Sequence, residues 1–330
     1  MRRGRKPKKR MSALRWNPVL EEWVITAPDR QTRPLQVSGA SKKECLLCPH
    51  GFEVPTEYDI CVFENRFPSL QRNPPPLTLK GDQFYKIKNG RGICEVVLYS
   101  PHHNRTLTTE SENQIYKLIN VWQDRYRELG SYNFIKYVFI FENKGEVIGV
   151  TLSHPHGQIY AFPYIPPIIK RELSSSRRHM ARTGKCLFCE ILQREIGEKK
   201  RIVWKGKHFA AFVPFYARWP YEVHIYSCRH RTSMLEFGET EKRDLARVLK
   251  KVLVKYDKLF GFSFPYMMVI HQAPTDGKEY SYYHFHIEFY PPYRSRDKIK
   301  FLGGCESGAG SFINDTSAEE KAAELRKSNM

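Results

Sequence analysis

The chain contains no run of about 18 or more consecutive apolar residues, so no membrane-spanning helix is expected. It is short of acid: 35 Asp and Glu face 54 Lys and Arg, a formal net charge of +19. That balance favours anionic ligands such as phosphates and says nothing about fold. Seven of the basic residues lie in the first ten positions, and no apolar stretch follows them. A secretory leader is therefore not expected, and the cytoplasm is the expected compartment. Residues 1–14 read as a basic, disordered tail; without its seven charges the rest of the chain still carries +12. Cysteine is scarce as well. Eight in 330 residues do not make a disulfide scaffold, but four form two Cys-x-x-Cys pairs, a spacing that suggests metal or redox chemistry. Apolar residues are not lacking: at 41% hydrophobic and 13% aromatic, the chain can bury the core of one large or two medium domains.

Three landmarks recur in the same order. The first half reads Cys45-Leu46-Leu47-Cys48, then Tyr99-Ser100-Pro101-His102-His103, then His154-Pro155-His156-Gly157-Gln158-Ile159-Tyr160. The second reads Cys186-Leu187-Phe188-Cys189, then Tyr226-Ser227-Cys228-Arg229-His230, then His284-Phe285-His286-Ile287-Glu288-Phe289-Tyr290. From Cys48 to His103 is 55 residues and from Cys189 to His230 is 41; from His103 to His154 is 51 and from His230 to His284 is 54. Between landmarks, residues 95–99 and 222–226 read as strands. Residues 110–129 and 239–260 carry apolar positions at helical spacing. Residues 133–141 and 266–271 read as strands leading toward the His-x-His segments, the first followed by a turn at Glu142-Asn143-Lys144-Gly145. The expected fold is α+β: two tandem halves, 15–165 and 166–315, each an antiparallel sheet with a helix packed on it, and a C-terminal tail at 316–330. Residues 163–185 are expected to bridge the halves.

A Cys-x-x-Cys pair with two distant histidines is a zinc signature, because thiolate and imidazole suit zinc and structural sites close at four ligands. The repeat selects Cys45, Cys48, His103 and His154 for a first zinc, with His102 as a neighbouring candidate. It selects Cys186, Cys189, His230 and His284 for a second. Neither pair reads as opening a helix after a strand, which speaks against a thioredoxin-like redox motif.

In an extended segment alternate side chains share a face, so His154, His156 and Gln158 would point together unless Pro155 twists the strand. With that twist one histidine binds metal while the other faces substrate. Imidazole is a competent nucleophile toward phosphorus near neutral pH and also a good leaving group, so His156 can carry a nucleotidyl group between two partners. Gln158 would donate amide hydrogens to a phosphoryl oxygen. His156 aligns with His286, but the second copy has Ile287 and Glu288 where the first has glycine and glutamine, and so reads as a catalytically spent duplicate.

Ser153-His154-Pro155-His156-Gly157-Gln158-Ile159-Tyr160 resembles the active-site signature of the galactose-1-phosphate uridylyltransferases, of the histidine-triad superfamily. Residues 27–34, 62–67 and 141–145 also match, as does the segment from His284 to Pro292. The resemblance runs from Arg15 to about Gly310 and implies two histidine-triad-like halves. It implies that His156 attacks the α-phosphorus of UDP-glucose, releases glucose 1-phosphate and then passes UMP to galactose 1-phosphate. It implies nucleotide or phosphate contacts for Arg30, Arg33, Asn65, Asn143 and Gln158, and hexose contacts for Lys300, Phe301 and Glu306. It also implies a homodimer. Some family members bind a second metal, iron or zinc, with a glutamate and three histidines. Glu172, His271 and His286 match three of those positions, and Glu288 stands at the fourth. Ligand softness favours the cysteine quartet for the second zinc. A tyrosine commonly precedes the glutamate of the hexose loop; here Cys305 precedes Glu306.

Two other functions compete. A nucleotide-sugar phosphorylase, with phosphate as acceptor and ADP-glucose or a UDP-sugar as donor, would share the architecture, but such relatives commonly carry serine where this chain has Gly157. A zinc-stabilised nucleic-acid-binding protein would use the basic charge. The zinc ligands are too dispersed for compact fingers, and no recognition module is visible, so nucleic acid is not an expected partner.

Overall fold

The computed structural model describes residues 12–32, 45–150 and 152–328. The first half contains strands β1 (Ala13–Asn17), β2 (Glu22–Thr26), β3 (Cys61–Glu64), β4 (Ile87–Asn89) and β5 (Ile93–Leu98), then helix α1 (Glu112–Gly130), then β6 (Tyr137–Lys144) and β7 (His156–Phe162). The second contains α2 (Pro167–Thr183), α3 (Leu187–Glu198), β8 (Ile202–Lys205), β9 (Phe209–Phe212), β10 (Val223–Ser227), α4 (Glu239–Phe260), β11 (Tyr266–His271) and β12 (His286–Tyr290). After these come β13 (Tyr293–Ser295), β14 (Lys298–Ile299), α5 (Gly304–Ala309) and α6 (Ala318–Lys327).

The α+β duplication is present, but the two sheets are one. Nine strands run in the order β3-β5-β7-β6-β11-β12-β10-β9-β8, every pairing antiparallel. The halves join where β6 pairs with β11, from Tyr266 opposite Lys144 to Ile270 opposite Ile140. Each of these strands would otherwise be an apolar edge exposing unpaired backbone groups, and joining them removes both edges. β1, β2 and β4 form a separate three-stranded sheet.

Alternation along the strands separates two faces. Val138, Ile140, Ile159, Ala161, Ile270 and Ile287 face α1 and α4, where Ile115, Leu118, Trp122, Leu245 and Leu249 complete the main core. Ser111 caps α1, accepting a hydrogen bond from the Gln114 amide at 3.0 Å. On the other face Tyr137, Phe162, Phe212 and Tyr226 meet Ile169, Leu173, Phe188 and Leu192 of α2 and α3. The catalytic candidates lie on this second face.

Three expected boundaries change. The strand expected over 133–141 is β6, which runs on to Lys144, so the turn begins only at Gly145, whose φ is +101°. The bridge at 163–185 holds a full helix, α2, whose apolar stripe covers the sheet. Residues 316–330 are not a tail through position 328. Ala318, Ala322 and Leu325 recur at helical spacing and are buried, Glu319 pairs with Arg201 at 2.7 Å, and the Leu325 carbonyl accepts from Lys255 Nζ at 3.0 Å. At the other end β1 begins at Ala13, with Ser12, Ala13 and Leu14 buried; residues 1–11 lie outside the described residues.

Candidate active site and metal centres

The first quartet assembles as the repeat implies. Cys45 and Cys48 sit in the loop before β3, His103 follows β5, and His154 sits in the bend that leads into β7. Cys48 Sγ lies 3.5 Å from His103 Nδ1 and 3.6 Å from His154 Nδ1, and Cys45 Sγ lies 3.8 Å from His154 Nδ1. A tetrahedron with zinc–sulfur bonds of about 2.3 Å and zinc–nitrogen bonds of about 2.0 Å has sulfur–nitrogen edges of roughly 3.6 Å. The donor set and its spacing therefore fit zinc, and all four residues are buried. His154 Nε2 is held by the Ser100 carbonyl at 3.0 Å and the Tyr58 hydroxyl at 2.9 Å, which leaves Nδ1 to ligate. Burial lowers the His154 pKa to about 4 and keeps the ring neutral, as a ligand must be. His103, not His102, is the ring placed at the quartet.

The second quartet repeats this geometry. Cys189 Sγ lies 3.5 Å from both His230 Nδ1 and His284 Nδ1, Cys186 Sγ lies 3.9 Å from His284 Nδ1, and the Ser227 carbonyl holds His284 Nε2 at 3.0 Å. Here the cysteine pair does open a helix, with Cys186 as the N-cap of α3, but that helix follows α2 and not a strand. The hydrogen bond between the two thiols and the neighbouring histidines hold Cys186 well below its ordinary value, a thiolate of the kind zinc takes.

His156 opens β7, and its Nδ1–H donates to the carbonyl of His154 at 2.9 Å. That bond fixes the tautomer and makes Nε2 the basic nitrogen. Pro155 separates the two jobs: the His154 ring turns to the cysteines while its carbonyl orients the next histidine. His156 stands where two cavities meet. One is lined by Leu47, Phe63, Asn65, Phe67 and Gln158; the other by Arg105, Glu142, Asn143 and Lys144. Arg30 is no loose surface charge: Nη1 donates to the Phe67 carbonyl at 3.1 Å and to the Tyr160 hydroxyl at 3.3 Å, two residues along the strand from Gln158. Arg33 lies outside the described residues.

Lys300, Phe301 and Glu306 are not brought to His156. Lys300 is buried and bonds Glu306 at 2.9 Å, Phe301 is 74% exposed, and none of the three lines either cavity at His156.

The third cluster is larger than its sequence match. His271 Nδ1 lies 3.1 Å from Glu172 and 3.2 Å from His286 Nε2, and His286 Nε2 lies 3.5 Å from Glu288. Glu288 thus joins Glu172, His271 and His286 in one potential metal-holding group. Against the cost of burial, the surrounding histidines hold both carboxylates below their usual range. His286 Nδ1 donates to the His284 carbonyl at 2.9 Å, the same device that orients His156. Phe188, where the first half has Leu47, stacks on the His286 ring at 4.7 Å between centroids, and His286 is fully buried. A phosphoryl group cannot reach it. Sequence reading missed His224 and Arg218, which contact Glu288 at 3.4 and 3.5 Å. Neither belongs to a landmark of the repeat.

Glu142 carries a testable pH dependence. It accepts from the Tyr266 hydroxyl at 3.2 Å; burial raises its pKa to about 8, with Lys144 opposing. The folded pKa exceeds the ordinary 4.5, so this stabilisation is complete below that value and is lost as the pH rises toward 8. Glu142→Gln should reduce the fall in unfolding free energy between pH 5 and pH 8 by on the order of a few kcal/mol, read by chemical denaturation. Equal falls in variant and wild type would contradict the assignment.

With the geometry in place, family comparisons bear on it directly. The family model described as galactose-1-phosphate uridyl transferase, N-terminal domain, matches residues 5–166, and that of the C-terminal domain matches residues 172–330. The chain belongs to the galactose-1-phosphate uridylyltransferase family. The uridylyltransferase of Thermotoga maritima is 47% identical over 97% of this chain and 99% of its own, and that of Haemophilus influenzae 35% over 94% and 93%. A solved uridylyltransferase superposes with a TM-score of 0.86 at 36% identity, covering 96% of this chain and 98% of that one. An ADP-glucose phosphorylase from Arabidopsis thaliana, solved with bound ADP-glucose, superposes at 0.72 with 27% identity over 95% and 98%. Like the uridylyltransferases it matches, this chain is a nucleotidyltransferase by family.

Proposed function

We propose that this protein transfers UMP from UDP-glucose to galactose 1-phosphate by a ping-pong route through a uridylyl-His156 intermediate. The observation that carries the reading is the His156 Nδ1–H bond to the His154 carbonyl, which makes Nε2 the nucleophile at the junction of two cavities. In the first step the Nε2 lone pair attacks the α-phosphorus, and the bond to the bridging oxygen breaks, releasing glucose 1-phosphate. In the second step a phosphate oxygen of galactose 1-phosphate attacks the same phosphorus, and the phosphorus–nitrogen bond breaks to give UDP-galactose and restore the imidazole. Gln158 and Asn143 donate to the phosphoryl oxygens, and Arg30 adds positive charge there. Leu47, Phe63 and Phe67 offer an apolar slot for the base, with Asn65 at its edge.

Lys300, Phe301 and Glu306 meet the hexose from a second copy of the chain, which makes the working form a homodimer. The compartment is the cytoplasm; no helix among the described residues is long and apolar enough to cross a membrane. The first zinc sits on Cys45, Cys48, His103 and His154, where it anchors the bend that aims His156. A second sits on Cys186, Cys189, His230 and His284. Glu172, His271, His286 and Glu288 form the alternative second site, whose mixed carboxylate and imidazole set suits iron as well as zinc. The acceptor decides between transferase and phosphorylase. Enzyme pre-labelled from UDP-glucose should be discharged by galactose 1-phosphate, yielding UDP-galactose. Faster discharge by inorganic phosphate would contradict this reading and favour the phosphorylase.

A further inference from the structure

We propose that Tyr99 is a positioning residue for the nucleophile: its hydroxyl occupies the side-chain slot of Gly157 and sets the depth of the segment that carries His156. The inference rests on the reading of His156 as the uridylyl acceptor and adds a residue of β5's C-terminal end to that site.

Gly157 lies between His156 and Gln158, and its side-chain direction points away from them, toward the face covered by α1 and α4. A Cβ built there would stand 2.1 Å from Tyr99 Oη and 3.0 Å from Tyr99 Cζ. No side chain fits that space. Gly157 is not among the described glycines with positive φ, so the residue answers a demand for room and not for an unusual backbone conformation. Tyr99 is 1% exposed, and among the described residues its hydroxyl has no hydrogen-bond partner. An unpaired buried hydroxyl is unfavourable, and a phenylalanine would pack the same ring without it. What the oxygen adds is volume directly beneath the Gly157 backbone.

The neighbouring structure explains why that volume matters. The bend at His154 is tied to the first cysteine pair, and β7 begins at His156 with Leu98 as its partner on β5. Tyr99 follows Leu98, so the strand that pairs with His156 also supplies the floor under the next residue. Burial first, and the nearby Glu142 carboxyl second, keep the Tyr99 hydroxyl from ionising, and Glu142 is itself bonded by Tyr266. The catalytic segment is therefore held by the cysteine quartet on one side and by the Tyr99 ring from below. Attack on phosphorus tolerates little displacement: a shift of about 1 Å can cost on the order of 100-fold in rate.

The two positions should suppress one another. Gly157→Ala pushes the segment up, and Tyr99→Phe leaves it unsupported. Together they exchange an oxygen from one strand for a methyl from the other. The test compares wild type, both single variants and Y99F/G157A for single-turnover labelling by saturating UDP-glucose, donor KM, zinc content and thermal midpoint. Gly157→Ala should slow labelling about 100-fold and Tyr99→Phe about fivefold, with donor KM within about threefold of wild type. The double variant should label at least about tenfold faster than Gly157→Ala alone, a coupling that independent sites do not show. Should Gly157→Ala not fold, recovery of zinc-loaded, labelling-competent protein in the double variant carries the same comparison. Effects that simply multiply, a Gly157→Ala enzyme as fast as wild type, a double variant with no recovery, or changes confined to the thermal midpoint would each overturn the inference. A wild type that takes no label would instead overturn the assignment of His156 itself, and this inference with it.

Discussion

His156→Ala is expected to lower uridylyl transfer by at least about 10⁴-fold while leaving zinc content and fold intact, because removing the nucleophile removes the covalent route itself. The structure separates the two consequences. The His156 Nδ1–H donates to the His154 carbonyl, whereas the metal-holding quartet is made by Cys45, Cys48, His103 and His154. Losing the His156 ring should therefore cost no metal ligand. Steady-state turnover with UDP-glucose and galactose 1-phosphate, measured beside elemental analysis, reads both. Residual turnover within about tenfold of wild type would show that another group carries the nucleotidyl transfer.

Cys48→Ala is expected to have the second-largest effect, on stability and on activity together. Its sulfur contacts the Nδ1 atoms of both His103 and His154, so one truncation opens two edges of the quartet. Structural zinc contributes on the order of 10 kcal/mol in small domains, and even a fraction of that should lower the thermal midpoint by about 10 °C or more here. Activity should fall as well, since an unanchored His154 no longer fixes the carbonyl that sets the His156 tautomer. One zinc fewer per chain, a lower midpoint and slow labelling should appear together. Full zinc content with unchanged labelling would refute the coupling. Cys189→Ala should affect labelling far less, because the ring oriented at that quartet, His286, is sealed under Phe188.

Much of this was legible in the sequence because duplication left landmarks in register. Both cysteine pairs, both His-x-His segments and α4 stand where pattern reading puts them, and the second quartet follows from the first by simple correspondence. The joining of two sheets into one was not legible. β6 and β11 open on continuous apolar runs, which signal two covered faces, but nothing in Phe139-Ile140-Phe141 or Met268-Val269-Ile270 says that the edge will be covered by the other half. Helix α6 was hidden for a different reason: Ala318, Ala322 and Leu325 form a narrow stripe among charged residues, too weak to distinguish from a solvated tail.

At the site itself, His156, Gln158, Asn65 and Asn143 were readable from motif and resemblance, and the structure places all four at the two cavities. Glu288 was visible only as a departure from the family pattern; its place in the cluster with Glu172, His271 and His286 depends on the β11–β12 pairing that sets His271 opposite His286. The role of Tyr99 was not visible at all, because a clash with an absent side chain leaves no mark on sequence periodicity. Lys300, Phe301 and Glu306 show the converse case: a motif match that one chain does not bring to His156.

The central claim is that His156 carries the uridylyl group. Wild-type enzyme incubated with UDP-glucose alone, denatured without acid, digested and mapped by mass spectrometry tests it directly. A single uridylyl adduct on His156 is expected, and it should disappear when galactose 1-phosphate is added before denaturation. An adduct on any other residue, or none at all under conditions where the enzyme turns over, would contradict it.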